Sequence, residues 1–338
     1  MSSGRLLVPL VLALLAVPLA ACGSGDDEPA AAGGGTSRAP EAAFPVTIEH
    51  AHGATTIESE PKRIVTVDFT DHETLLALGI RPVGAMDWFG ERPYGKWPWE
   101  AGKWGSEEPE IVNPGGAEIN FEKIAALRPD LIVGAYADLD ASAYAKLSQI
   151  APTVAQARSA RPYTTPWRDM ARTIGKAVGR LDDVDAQIAT IDERFAEVRE
   201  DHPEFARQTA VVVDATQVPK SYWAFHSTDP RGQFLTSLGF RADPALNKAT
   251  ANEFGAAISP ERISLLEVGR LILLADPENS RTLDRQRIFT RLKVVKEGRD
   301  VRLRYYEEPS VGGAMAFSTI LSIPFAIDGL MKELTAKR

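Results

Sequence analysis

Cysteine is almost missing: Cys22 is the only one in 338 residues. An exported chain with a single thiol has no internal disulfide, so packing must hold its fold. Histidine is scarce as well, with five residues: His50, His52, His72, His202 and His226. His50 and His52 would share one face of a strand, but no third and fourth ligand at zinc-like spacing accompanies them. No protein-bound metal and no cofactor is therefore expected. There is no basic stretch, and 38 basic residues face 46 acidic ones for a formal net charge of −8. That balance argues against nucleic-acid binding, which needs a basic face to neutralise phosphates. A Gly-x-Ser-x-Gly elbow, a Gly-rich phosphate loop and a cysteine nucleophile in the body of the chain are all lacking. An enzyme on this frame would want at least one of them. The one long apolar run, Leu6 to Leu19, has fourteen residues with Pro9 and Pro18 inside it. It is too short to cross ~30 Å of hydrocarbon as a helix.

What that run does fit is the apolar region of a signal peptide, with Arg5 before it. It ends in Leu19-Ala20-Ala21-Cys22, which resembles the lipobox of bacterial lipoproteins. The resemblance implies cleavage before Cys22 and a lipid on that residue. The mature protein is then expected outside the cytoplasm, lipid-anchored to the cell membrane. Residues 22–43 are Gly-, Ala- and acid-rich and cannot bury a face, so they are expected to form a flexible tether.

From residue 44 onward short apolar runs alternate with helical patterns. Ile64 to Val67, Arg81 to Met86, Asp130 to Gly134, Thr209 to Asp214, Leu271 to Ala275 and Val301 to Tyr305 read as strands. Asp71 to Leu78, Phe121 to Leu127, Tyr144 to Ile150, Gln233 to Leu238, Pro260 to Leu266 and Phe317 to Leu334 read as helices. Asp71 is the expected N-cap of the first. In the middle, Met170, Ile174, Val178, Leu181, Val184, Ile188, Ile191, Phe195 and Val198 step by three or four and form one helical stripe. Gly179 divides it, and Asp182 is the expected cap of its second half. The pattern predicts an α/β fold: two Rossmann-like lobes, residues 44–165 and 201–338, joined by a long helical segment over 166–200, with a ligand cleft between them.

This layout resembles the helical-backbone class of ABC substrate-binding proteins, which includes ferric-siderophore and vitamin B12 binding proteins. The likeness is carried by Pro61-Lys62-Arg63-Ile64-Val65, by Glu73 to Gly79, by Phe121-Glu122-Lys123-Ile124-Ala125-Ala126-Leu127-Arg128-Pro129-Asp130-Leu131-Ile132, and by Ser259 to Ile263 and Ser318 to Pro324. It implies an iron–siderophore binding lipoprotein, monomeric and without catalytic activity, that hands its cargo to an ABC permease. Iron(III) would be held by the siderophore and not by the protein. A corrinoid or haem is the rival cargo.

Such a cargo needs aromatic walls for its organic shell and a few Arg or Tyr donors for its oxygens. Asp87 to Pro114 is a long segment carrying four of the six tryptophans. From it Trp88, Arg92, Tyr94 and Trp97 are candidate ligand-binding residues. Tyr136 follows a strand, where open sheets bind ligands. Trp223 and Arg231 occupy the matching stretch of the second lobe. The modest number of basic residues favours a hydroxamate siderophore over a strongly anionic catecholate. The family resemblance also implies one glutamate on each lobe for permease docking. Glu73 and Glu261, each at the start of a short helix, match that pattern, with Glu267 a competitor for the second. Both docking residues are expected on the outer surface.

Overall fold

A computed structural model of the chain describes residues 44–87, 97–106, 108–113, 118–158, 165–251 and 254–336. Cys22, the tether, Trp88, Arg92 and Tyr94 lie outside the described residues. The first described element is an antiparallel hairpin of β1 (Val46–His50) and β2 (Gly53–Ile57). One of its histidines ties the two strands together and the other pins the hairpin to the first lobe. His50 Nε2 lies 2.9 Å from Thr55 Oγ1, and His52 Nε2 lies 2.6 Å from the Leu139 carbonyl.

Each lobe is built on a five-stranded sheet. The first contains β3 (Ile64–Thr66), β4 (Gly84–Ala85), β5 (Glu110–Ile111), β6 (Leu131–Gly134) and β7 (Thr153–Ala155) in the order β5-β4-β3-β6-β7, all parallel. The second contains β8 (Ala210–Asp214), β9 (Tyr222–Phe225), β10 (Gly255–Ile258), β11 (Arg270–Leu274) and β12 (Asp300–Leu303) in the order β10-β9-β8-β11-β12. The two sheets therefore repeat one strand order. In the second, β9 runs antiparallel to both its neighbours. The central strands are covered on both faces, which is why they read as continuous apolar runs. Val211 and Val213 point into the outer core of the second lobe, whereas Val212 points into the large core that runs on through both lobes.

The helices are α1 (Asp71–Ala77), α2 (Phe121–Ala126), α3 (Ala141–Ser148), α4 (Trp167–Ala177), α5 (Leu181–Asp201), α6 (Pro230–Ser237), α7 (Pro244–Ala249), α8 (Pro277–Arg285), α9 (Arg287–Thr290), α10 (Lys293–Lys296), α11 (Val311–Phe317) and α12 (Ser322–Ala336). Between the two sheets in sequence lie α4 and α5. Gly179, at φ +67°, ends the first as expected. The 21 residues of α5 make a rod about 30 Å long that buries Val184, Ile188, Ile191, Phe195 and Val198. The two helices meet closely at Gly175, where a Cβ would stand 2.6 Å from Val184 Cγ2.

Several local expectations are corrected. Asp71 is not a cap: the N-cap position is Thr70, and the buried Asp71 carboxylate accepts the Ala135 N–H at 2.6 Å. Likewise α5 begins at Leu181 with Arg180 at its N-cap, so Asp182 lies in its first turn. The strand expected over 81–86 shrinks to Gly84–Ala85. The helix expected from Phe317 begins later, at Ser322, because Phe317 closes α11, Ser318 takes a left-handed conformation and Thr319 leads into α12. Thr319 Oγ1 accepts the Ser322 N–H, and Ser322 Oγ accepts the Thr319 N–H, a reciprocal cap.

Candidate functional site

Three polar side chains converge from three elements. Tyr136 follows β6 of the first lobe, Arg231 lies in the first turn of α6, and Tyr305 follows β12 of the second lobe. Both phenols lie within electrostatic range of the guanidinium, and Tyr305 is hydrogen-bonded to it. The two tyrosines follow the carboxyl ends of parallel strands, where open α/β sheets bind ligands, and Arg231 reaches them from α6. The reason is local. Asp229 caps α6 through the Arg231 N–H at 2.9 Å, and Pro230 suits the first helical position. The arginine then folds back, and its Nη1 lies 3.1 and 3.0 Å from the two Asp229 oxygens. Its guanidinium carbon stands 4.3 Å above the Phe225 ring centroid, a cation–π arrangement.

Burial alone would draw the Arg231 pKa down, but Asp229, with Tyr305 and Tyr136, more than offsets it, so the group stays cationic. Burial raises the Asp229 carboxyl, with the guanidinium opposing. Burial also pushes the Tyr305 phenol up to about 12, so it remains a neutral donor. Tyr305 and Asp229 were not singled out in the sequence. The Asp-Pro-x pattern at a helix start was the available signal for the second.

The aromatic candidates divide. Trp223 is half-buried and leans on Phe254 at 5.5 Å, and Phe254 is 44% exposed, so this pair offers a free apolar face. Trp97 is only 5% exposed. It stacks on Trp99 at 4.9 Å and meets Phe317 edge-on at 5.1 Å. The ring is packed between the first lobe and the C-terminal segment and helps to join them.

Glu73 requires the largest correction. It is 1% exposed, inside the molecule and not on its outer surface. The Thr319 hydroxyl donates to its Oε2. Burial and the neighbouring Glu100 push its pKa well above the usual carboxylate range, with Thr319 and Trp99 partly opposing. Next to it, His72 Nε2 lies 2.8 Å from Glu100 Oε1, and Trp104 Nε1 donates to Glu100 Oε2 at 3.0 Å. His72, Glu73 and Glu100 thus offer ligand atoms within 4.8 Å of one another, a convergence the sequence did not disclose. The carboxylates are already engaged by His72, Trp104 and Thr319, so the group is a hydrogen-bonded tie between the first lobe and the start of α12.

The outer carboxylates are elsewhere. Glu261 is exposed in the short helix Pro260–Leu266, and its own backbone N–H and the Ser259 side chain lower its pKa. Glu267 is occupied: its oxygens accept the Lys293 and Val294 N–H groups at 2.6 and 3.0 Å. The counterpart of Glu261 in the first lobe is Glu122. Each stands nine positions before the fourth strand of its sheet, Leu131 in β6 and Arg270 in β11, and each precedes a buried isoleucine, Ile124 and Ile263, by two. Glu122 is exposed on α2, capped by Asn120. The sequence signal was this internal repeat.

Two α/β lobes of one strand order, joined by helices and turning polar groups toward each other, define a two-lobed solute-binding protein. The chain belongs to the periplasmic binding protein family, whose model matches residues 64–304. It is therefore a binding protein and not an enzyme. It is 35% identical to a periplasmic solute binding protein from Mycobacterium smegmatis, with a TM-score of 0.77 over 86% of this chain and 98% of that one. The iron uptake protein PiaA of Streptococcus pneumoniae, solved with ferrichrome, is 26% identical with a TM-score of 0.72, over 86% and 98% of the two chains. The "Probable siderophore-binding lipoprotein YfiY" of Bacillus subtilis is 32% identical over 200 residues, 58% of this chain and 57% of that protein. The match thus spans little more than half the length of that relative.

Proposed function

We propose that the chain is an extracytoplasmic lipoprotein that captures a ferric siderophore, of hydroxamate type, and delivers it to an ABC permease. The observation that carries this reading is the Tyr136–Arg231–Tyr305 convergence between lobes, beside the open Trp223–Phe254 face. It supplies donors for chelate oxygens and an apolar wall for the organic shell. The names of YfiY and of the ferrichrome complex of PiaA support the cargo class. Ferrichrome should quench tryptophan emission with micromolar affinity or better, about 8 kcal/mol. Buffered Fe³⁺ alone should leave the emission unchanged. Equal quenching by bare iron, or tight binding of haem or a corrinoid with none of ferrichrome, would sink the proposal.

Anchoring rests on Cys22. The mature protein should carry a lipid there, seen as an added mass that vanishes in Cys22→Ala together with membrane association. A wild-type mature mass without lipid excludes the anchor. For delivery, Glu122 and Glu261 are the proposed docking pair, one exposed carboxylate per lobe.

A further inference from the structure

The cation at the centre of this site is not a free one. Arg231 is 11% exposed and Asp229 2% exposed, and both Asp229 oxygens lie against Nη1. Among the described residues, Arg231 Nε, also buried, has no hydrogen-bond partner. The unit therefore presents N–H donors with its charge already cancelled. Around it the acidic groups continue: Asp214 and Asp276 both act on Tyr305. Asp276 is fixed in place by the Tyr305, Tyr306 and Glu307 N–H groups at 3.0–3.2 Å. Among the described residues, three carboxylates, Asp229, Asp214 and Asp276, thus act on the Arg231–Tyr305 pair.

We infer that Asp229 is a charge-selectivity residue: by neutralising Arg231 it makes the site choose an electrically neutral ferric chelate over an anionic one. This rests on the reading that the site takes a ferric chelate at all. The chemistry separates the classes cleanly. A ferric ion wrapped by three hydroxamates is neutral, whereas one wrapped by three catecholates carries a triple negative charge. The neutral shell still presents carbonyl and N–O oxygens that accept from Arg231 and the two phenols. The anionic shell would need surplus positive charge to offset its lost hydration, and Asp229 removes that surplus. Asp229 acts through Arg231 and is a positioning residue.

The test compares ferrichrome with ferric enterobactin on the mature protein, read by tryptophan quenching, for wild type, Asp229→Asn and Asp229→Glu. Asparagine keeps the helix cap and removes the charge; glutamate keeps the charge. Wild type should prefer ferrichrome. Asp229→Asn should shift the ratio of the two affinities toward ferric enterobactin by about tenfold or more, and Asp229→Glu should stay near the wild-type ratio. Equal weakening of both chelates in Asp229→Asn, or an unchanged ratio, would make Asp229 structural only and overturn the inference. A wild-type preference for ferric enterobactin overturns it without any variant. Wild type that binds neither chelate would instead refute the functional reading on which the inference rests.

Discussion

Siderophore-dependent uptake should nearly vanish when Glu122 and Glu261 are both replaced by alanine, while chelate affinity stays within about twofold. The argument begins with placement. Both carboxylates are exposed, and they occupy equivalent points of the two lobes. A partner that spans the molecule would meet both at once, and α5 links the lobes along the chain as a stiff rod. Each carboxylate can pair with an arginine across the interface. Interfacial charge pairs are worth from about 1.5 to several kcal/mol when partly desolvated. Loss of one should lower uptake about tenfold, and loss of both should leave almost none, because the second contact gains from the first being held. Thermal stability should hardly change, since exposed substitutions seldom cost more than about 0.5 kcal/mol. The paired measurement is chelate affinity in vitro and uptake in cells for each single variant and the double. Normal uptake in the double variant would remove the docking role.

The fold was legible where one segment carries its own reason. Strands covered on both faces, such as Leu131 to Gly134, are apolar runs whatever lies against them. The stripe of α4 and α5 follows from helical geometry alone. The antiparallel strands β9 and β10 escaped the reading because Tyr222 to Phe225 is a short aromatic stretch with no alternation of exposure to betray a sheet. Two of the three central residues are visible: Tyr136 and Arg231 stand next to structural punctuation, at a strand end and a helix start. Tyr305 did not announce itself, because it ends what reads as an ordinary strand and acquires its role only from Arg231, 74 positions earlier in the sequence. Glu73 departs from its sequence pattern for the same kind of reason. An acidic residue in the first turn of a helix is expected to face water, and α1 offers no sign that both its polar and its apolar residues are covered. The groups that cover Glu73 lie at Glu100 and, 246 positions away, at Thr319. Only tertiary structure brings them together.

Glu73→Ala should therefore lower stability sharply, by about 2–4 kcal/mol, instead of acting on uptake alone. It empties a fully buried position and deprives the Thr319 hydroxyl of its acceptor in the first lobe. It also removes support from the aromatic joint of Trp97, Trp99 and Phe317 above it. A cost of that size is roughly 5 °C or more in melting temperature for a chain of this length. Glu73→Gln should behave differently, because burial already favours the neutral carboxyl and glutamine keeps an oxygen where Thr319 donates. The pH dependence follows from the same groups. Burial raises the Asp68, Asp71 and Glu73 carboxyls in the folded state, Asp68 to about 7. Between the ordinary carboxylate range and these raised values the folded chain binds more protons than the unfolded one, so stability falls as pH rises. The melting temperature should accordingly decrease from pH 5 to pH 8, and the decrease should be smaller in Glu73→Gln and in Asp68→Asn. Calorimetry at the two pH values decides the matter. A Glu73→Ala protein that melts within about a degree of wild type, binds ferrichrome normally and fails only in uptake would return Glu73 to the outer surface and to the permease.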